Sequence, residues 1–542
     1  MEDTAGATAT VSATAYARSA EERALAAAID ATPSIQSLLD RHARERPDAC
    51  ALACNSASGD WLRVSWSRLA EDSRRAAAGL RALGVGPGDH VALLLDNRSA
   101  YECFVATLGM LRRGAALVPL NTRSTAAELA YALGAAECRW LIAGVEAAER
   151  VESARAEVPS LRQVIGVGGA PSGWADWHQV LEHAPDPAAE VTIGPDTVSA
   201  ILFTSGTTAR PKGAVHSHRT AIATGAIDAA IHGLGPGEVL HYAVPFFTSF
   251  GAQGGVMMLL WSGCTVVVEP VFDQARMVQR IVEEGTTVGL GVPSQFLFML
   301  DELRVRRAEL GRVRLWVYGG APMPGEVSRA LAEICPQAGE RQVYAMTETG
   351  ITGTTLAPEL VVSKPTSCGR PMPLCETKIV DEAGRVLKPD EIGEICLRGP
   401  GNMLGYYNNQ EATQAALRDG WMHTGDIGRM DADGFLYYLD RLKDVINRGG
   451  LKISSMEVED AMYRHASVLE AAVVAAPHPQ LGEDIRAFVA LRPGTRADAE
   501  ALRAHCAALL SPHKVPRDIR FIDALPRNSM GKVQKTQLRQ LG

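Results

Sequence analysis

Short apolar runs rich in β-branched residues alternate with Ala-, Leu- and Arg-rich stretches along most of the chain. The runs at 91–95, 116–120 and 140–143 predict strands, and the stretches at 69–83 and 126–133 predict helices. This rhythm predicts parallel sheets flanked by helices. Further strand-like runs at 198–203, 264–268, 288–291, 314–318 and 342–344 mostly lead into loops containing Gly, Pro or Thr. Open α/β sheets bind ligands at such strand ends. Between about 376 and 440 the runs become short (377–380, 393–398, 435–439) and are separated by turn sequences such as DEAG and DADG, which predicts a small β-rich region. Beyond 442 come a helical pattern at 456–465, a strand at 471–476 and a basic end.

The expected fold class is therefore α/β: a large N-terminal domain of parallel α/β subdomains with a small β-rich region, then a small α+β C-terminal domain. Residues 1–30 show no apolar period before Ile35, Leu38 and Leu39 and are expected to form a frayed tail. The domains are then expected over 31–442 and 443–542. No repeat of solenoid length is visible.

With 542 residues, the chain is too long for one hydrophobic core, and 46% hydrophobic against 21% charged residues excludes general disorder. A net charge of −8 gives no global reason to bind nucleic acid or an anionic membrane, so a polyanionic ligand must be held by local charge. Of the ten cysteines only Cys50 and Cys54 are close, with no His at zinc-ligand spacing, and all are expected to be reduced thiols. No run of 18 apolar residues and no basic-then-apolar leader occurs, so the expectation is a cytoplasmic protein without a transmembrane segment. Composition leaves a homodimer open.

The strongest local signal is Thr204-Ser205-Gly206-Thr207-Thr208-Ala209-Arg210-Pro211-Lys212-Gly213, directly after the run 198–203. Hydroxyls, small residues and exposed backbone N–H groups make a concave anion site, and Lys212 adds a point charge. It is not a Walker A loop, because Pro211 and Gly213 replace the second Gly and the Ser/Thr. A flexible surface loop is the alternative. In Tyr344-Ala345-Met346-Thr347-Glu348-Thr349-Gly350, a hydroxyl beside a carboxylate suits a phosphate oxygen and a hard cation, and the ring suits a base. Asp426, ending Trp421-Met422-His423-Thr424-Gly425-Asp426, suits a vicinal diol such as ribose, or is simply an Asp in a turn. Arg527-Asn528-Ser529-Met530-Gly531-Lys532 places a lysine on a Gly-containing loop, in what is otherwise a solvated basic tail.

Taken in order, TSGTTARPKG, YGGAP, YAMTETG, HTGD, DRLKDVINRGG and NSMGK resemble the adenylate-forming enzyme superfamily of acyl-CoA synthetases, peptide-synthetase adenylation domains and luciferases. The resemblance runs from about Ile35 to Lys535, with softer matches at 108–121 and 393–407. It implies ATP, Mg²⁺ and CoA as the small molecules used with a carboxylic acid: an acyl-AMP forms first, and a thiol then displaces AMP.

By the same resemblance, Thr204, Ser205, Gly206, Thr207, Thr208 and Lys212 close over the β- and γ-phosphates. Glu348 helps hold Mg²⁺, with Thr347 near the α-phosphate. Gly320, Ala321, Pro322 and Tyr344 sandwich adenine, while Asp426 and Arg441 hold the ribose. Lys532 bridges the α-phosphate and the acid, and the small domain carrying it turns about Lys443 so that Gly449 and Gly450 line a tunnel for CoA. Arg492 is a weaker candidate for the CoA phosphates.

The acid site implied by the resemblance spans segments 246–255, 291–295, 318–323 and 345–354, with Phe246, Phe247, Thr248, Gly251, Val292 and Gly350 as its candidate residues. Segment 245–251 has no Asp to pair with a substrate ammonium, which favours an uncharged, largely apolar aliphatic (fatty) or aryl acid. Glycines at 251, 254, 255, 350 and 353 are expected to leave room for it, although the apolar residues among them also suit a core. Thr248 stands where many relatives carry a gating His. The alternatives are loading of a separate carrier protein, luciferase-like oxidation of an adenylate, or an inactive nucleotide sensor.

Overall fold

A computed structural model describes residues 19–204, 210–321, 323–527 and 533–541. Two large sheets carry the expected alternation. In one of eight strands, His90–Leu94, Ala116–Pro119, Trp140–Gly144, Gln163–Val167 and Val198–Thr204 run parallel, and Lys212–Ser217 followed by Gly405–Tyr406 extends one side antiparallel. In the other, of nine strands, the parallel order passes from Cys50–Asn55 through Thr265–Val268, Val239–Tyr242, Val288–Gly291 and Leu315–Gly319 to Gly339–Ala345. Strands covered on both faces read as continuous apolar runs, and Trp140–Gly144 is buried at every residue.

One hydrophobic cluster joins the sheets, drawing Leu93 and Ile142 from the first and Leu52 and Val266 from the second. Between them lies the helix Ala100–Arg112, buried on every side. The charge of Arg112, wholly buried there, is met by Asp40 Oδ1 at 2.6 Å and Glu190 Oε2 at 2.7 Å.

The β-rich region is an antiparallel sheet in which Glu376–Val380, Gly393–Arg398, Trp421–Met430 and Leu436–Arg441 follow one another. A last sheet pairs Val468–His478 with Gly482–Leu491 and adds the hairpin Ile446–Arg448 and Leu451–Ile453. The helix Ser455–Tyr463 contributes Val458, Ala461 and Met462 to a separate core with Val473, Ala487 and Leu502.

The frayed tail expected over 1–30 does not hold for residues 19–30, the part of that range the structure describes. Ala20–Asp30 is a helix, started by a capping box in which Ser19 and Glu22 satisfy each other's backbone N–H groups. Its Ile29 is buried, and Glu22 Oε1 accepts the Leu374 N–H at 3.3 Å. Among the described residues, no helix is long and apolar enough to cross a membrane.

Candidate active site

Thr204 stands opposite Lys212 in an antiparallel pair, so the segment between them joins the two strands at their ends. Ser205, Gly206, Thr207 and Thr208 lie outside the described residues. The Thr204 hydroxyl donates to the Lys212 carbonyl at 3.4 Å. The Lys212 ammonium is 5.2 Å from the centre of the Tyr406 ring, and the Tyr406 hydroxyl donates to Glu348 Oε1 at 2.8 Å. A loop end with its cation thus meets a carboxylate that is only 7% exposed.

Glu348 sits in the short turn Thr347–Thr349, directly after the strand Gly339–Ala345. The turn is held from two sides. The Thr347 hydroxyl donates to Ser249 Oγ at 3.0 Å, and His216 Nε2 donates to the Thr347 carbonyl at 2.9 Å. Burial pushes His216 down to about 4, so it stays neutral near pH 7 and keeps an Nδ1 lone pair toward Thr220 Oγ1.

Three residues away, the Tyr344 hydroxyl donates to Asp426 Oδ2 at 2.7 Å. The strand register sets Asp426 against Arg441, whose Nε is 2.8 Å from Asp426 Oδ1. Arg441 also feels the charge of Glu348, so the two carboxylate centres share one electrostatic neighbourhood. Beneath Asp426, Glu394 supports the loop: its Oε1 accepts the Gly425 N–H at 3.0 Å and its Oε2 lies 2.8 Å from His423 Nδ1. Gly320, with φ +80°, ends the strand Leu315–Gly319, and a Cβ there would meet nothing within 4 Å. Ala321 beside it is exposed, and Pro322 lies outside the described residues.

The candidate acid residues divide. Phe247 and Thr248 are partly exposed and Val292 is exposed, whereas Phe246 is a core residue, edge-on to Phe104 at 5.7 Å. The glycines are not empty space. A Cβ at Gly251 would come within 2.3 Å of the Pro245 carbonyl, at Gly254 within 2.3 Å of Ile351, and at Gly255 within 2.3 Å of the Tyr242 hydroxyl. At Gly350 it would meet Thr224 Oγ1 at 2.5 Å, and at Gly353 the Tyr344 carbonyl at 2.4 Å. Room expected for a ligand is therefore taken up by close packing of protein on protein. The segment Phe250–Gly255 forms a π-helix, a rare form concentrated at functional sites.

In the C-terminal part, Gly449 and Gly450 make a tight hairpin turn with φ of 60° and 91°. Both values are left-handed, as a two-residue turn of this kind requires. Lys443 is exposed and its carbonyl accepts from Arg539 at 3.2 Å; Arg492 is also exposed. Lys532 lies outside the described residues. Its flanks are held: Arg527 and Val533 form a bridge, and Lys535 reaches Ser455 Oγ at 2.6 Å and Glu459 at 2.8 Å. The Ser455 hydroxyl in turn donates to Asp440 Oδ2 at 2.7 Å, one residue before Arg441.

Sequence reasoning singled out neither Tyr406 nor His216, while Ser249 and Gln253 lay within the segment 246–255 implied for the acid. Tyr406 lay within the softer match 393–407. Asp228 lay outside the segment searched for an acidic residue, although it follows Thr224 by one helical turn.

The chain matches the model of the AMP-binding enzyme family over residues 39–407 and that of the AMP-binding enzyme C-terminal domain over 457–532. It is 37% identical over 520 residues to a 3-[(3aS,4S,7aS)-7a-methyl-1,5-dioxo-octahydro-1H-inden-4-yl]propanoyl:CoA ligase of Mycobacterium tuberculosis, covering 94% of this chain and 99% of that protein. It is 34% identical to a fatty acid–acyl-carrier-protein ligase of Streptomyces coeruleorubidus, covering 94% and 96% of the two chains. The o-succinylbenzoate CoA synthetase of Bacillus subtilis, solved with its acyl-adenylate, superposes with a TM-score of 0.83 at 29% identity, over 94% of this chain and 98% of that one.

Proposed function

Because the chain belongs to the AMP-binding enzyme family and is an AMP-forming carboxylic acid–CoA ligase, we propose that its acid is uncharged and largely apolar, aliphatic or aryl, and that the residues assembled above divide the work between nucleotide and acid. The observation that carries this reading is the contact chain Tyr344–Asp426–Arg441 beside Thr347–Glu348–Tyr406–Lys212. On this reading Asp426 serves the ribose diol, Thr347 a phosphate oxygen, Glu348 the metal and Lys212 the phosphate charge, near strand ends where an open α/β site is expected.

In the first half-reaction the acid's carboxylate attacks the α-phosphorus of ATP, and the bond to pyrophosphate breaks. Two anions must approach, so preorganised charge is the main catalytic resource. Lys212 and the 204–208 loop hold the β- and γ-phosphates, Thr347 stands by the α-phosphate, and Asp426 with Arg441 fixes the ribose. The exposed Gly320 and Ala321 with Tyr344 flank adenine. The donor set fits Mg²⁺, since Glu348 and its neighbour Thr347 offer hard oxygens; the ion would neutralise phosphate charge there. Lys532, carried over from the family's motif, brings its ammonium between α-phosphate and carboxylate.

In the second half-reaction the CoA thiol attacks the acyl carbon and AMP leaves. Residues 443–542 form the unit that turns about Lys443 to bring Gly449 and Gly450 to the CoA arm, while 31–442 grips the nucleotide. The carrier-ligase relative gives a second acceptor a specific basis. Incubating the enzyme with ATP, Mg²⁺, a panel of acids and either CoA or a holo carrier protein tests both. Acid-dependent pyrophosphate release with thioester on CoA is expected. Release with thioester only on the carrier would move the acceptor, and no release with any acid would refute the reading.

A further inference from the structure

The β-rich sheet brings three metal-ligating side chains together beneath the Asp426 loop. Residues two apart share one face of a strand, which puts Glu394 and Cys396 on the same face, and the antiparallel register sets His423 opposite Cys396. Between these positions the ladder is irregular. Glu394 stands against Ile427 and Cys396 against His423, so Thr424, Gly425 and Asp426 face Ile395 alone. The cluster thus sits at the mouth of the bulge that presents Asp426.

Its ligand atoms converge. His423 Nδ1 is 2.8 Å from Glu394 Oε2 and 3.5 Å from Cys396 Sγ, and the three ligand atoms all lie within 4.8 Å of one another. Both partners meet the same ring nitrogen. A Cys–His–carboxylate triad needs them on opposite nitrogens, one to take the thiol proton and one to orient the ring, so this arrangement does not serve nucleophilic chemistry. Three unlike ligands around one point are what a thiophilic dication requires. Tetrahedral bonds of about 2.0–2.3 Å to N, O and S hold those atoms about 3.4–3.6 Å apart. Cys396 and His423 already stand at that separation, and Glu394 needs to withdraw from His423 by about half an ångström.

The surroundings suit such a site. Cys396 is buried, whereas the side chains of Glu394 and His423 are 22% and 10% exposed and open the cluster to solvent. Glu394 Oε1 holds the Gly425 N–H while Oε2 faces the cluster, so one oxygen of the carboxylate orients the other. The positive groups that act on Cys396 are anchored elsewhere: Lys378 stacks over Trp421 at 4.3 Å, and Arg418 Nε donates to the Ala415 carbonyl at 3.1 Å. Burial, with the Glu394 charge, pushes the Cys396 thiol up to about 12, so binding releases its proton to solvent as the S–metal bond forms. The carboxylate and thiolate then cancel the charge of one dication.

We propose that Glu394, Cys396 and His423 form a second cation site, selective for Zn²⁺-like ions over Mg²⁺, with water in the fourth position, and that its occupation loosens the grip on the nucleotide ribose. Thiolate and imidazole give the selectivity, since Mg²⁺ prefers oxygen ligands. The coupling follows from position: drawing Glu394 and His423 apart disturbs the bulge in which Glu394 Oε1 holds Gly425, next to Asp426. The site stands by itself; only the coupling rests on the ribose assignment above.

Cobalt(II) reports the site directly, because thiolate ligation gives a near-ultraviolet charge-transfer band that oxygen ligands around Glu348 do not. Titrating the metal-stripped enzyme with Co²⁺ should produce this band with one equivalent bound, and Zn²⁺ should displace it where excess Mg²⁺ does not. Cys396→Ala should abolish the band while leaving acid-dependent pyrophosphate release in Mg²⁺ alone unchanged, and His423→Gln should weaken Co²⁺ binding by at least about tenfold. Should Cys396→Ala fail to fold, Cys396→Ser, close in size, loses the band equally. AMP carries the ribose without a polyphosphate chelator, so its Kd, read by calorimetry, tests the coupling: Zn²⁺ should raise it by at least about fivefold in the wild type and leave it unchanged in Cys396→Ala. No band in the wild type, or a band that persists in Cys396→Ala, would overturn the site. An AMP Kd that Zn²⁺ does not alter in the wild type would overturn the coupling. Neither spectrum nor calorimetry needs turnover, so a failure of the ligase reading shows separately, as no pyrophosphate release with any acid.

Discussion

Replacing Asp426 by Asn removes a charge and almost nothing else. The two side chains are nearly isosteric, so packing around the loop is preserved, and the consequences divide into stability and nucleotide binding. Breaking a fully buried ion pair costs about 3–5 kcal/mol. Here the Asp426 side chain is 6% exposed but that of Arg441 is 38% exposed, so water screens the orphaned guanidinium and a cost of about 1–2 kcal/mol is expected. The protein should fold. For the nucleotide, a hydrogen bond to a charged acceptor is worth about 1 kcal/mol more than one to a neutral acceptor. With two ribose hydroxyls the loss is about 2 kcal/mol, roughly thirtyfold in affinity. ATP–pyrophosphate exchange at saturating acid should show KM for ATP rising by about that factor, with KM for the acid within about threefold of wild type. Tyr344→Phe removes only one bond to the same carboxylate and should have a smaller effect in the same direction. A folded Asp426→Asn enzyme with KM for ATP within about threefold of wild type would refute the ribose assignment, and a shift confined to KM for the acid would move this carboxylate to the acid side.

Lys532→Ala should depress acyl-AMP formation by at least about two orders of magnitude while thioester formation from supplied acyl-AMP survives; equal damage to both steps would remove its assigned role. Lys443→Pro should spare adenylation more than thioester formation, measured as pyrophosphate release against CoA thioester, and unchanged turnover would defeat the hinge assignment. Tyr406→Phe withdraws the hydroxyl from Glu348 Oε1, so the Mg²⁺ concentration giving half-maximal adenylation should change by several-fold while KM for the acid holds; an unaltered Mg²⁺ dependence would separate Glu348 from the cation. His216 falls from 6.5 to about 4 on folding, so the unfolded chain binds the extra proton between those values, and the stability held at pH 7 is lost as pH falls, by about 2 kcal/mol at pH 5. Urea midpoints should therefore drop less between pH 7 and pH 5 in His216→Gln than in wild type, and parallel drops would show that His216 is not the titrating group.

What was legible in the sequence depended on whether the physics was local. Strands such as Trp140–Gly144 announce themselves as unbroken apolar runs because both faces are covered, whereas the hairpin turning at Gly449-Gly450 went unpredicted, its strands being only three residues each. The helix Ala20–Asp30 was legible too, in the Ser19–Glu22 capping box, but an Ala-rich stretch without an apolar period concealed it. Contacts made across the fold had no such signature. Glycine between apolar residues reads equally as a gap for a ligand or as a place where two chains touch, and only the Ile351 side chain beside Gly254 and the Tyr242 hydroxyl beside Gly255 decide for touching.

Asp228 shows the same limit from the other side. Absence of an acidic residue from 245–251 was evidence against an ammonium partner in that segment alone, and the helix His218–His232 still carries the buried carboxyl of Asp228 one turn beyond Thr224, which Gln253 contacts. Burial pushes that carboxyl toward its neutral form, which weakens it as a partner for a cationic substrate.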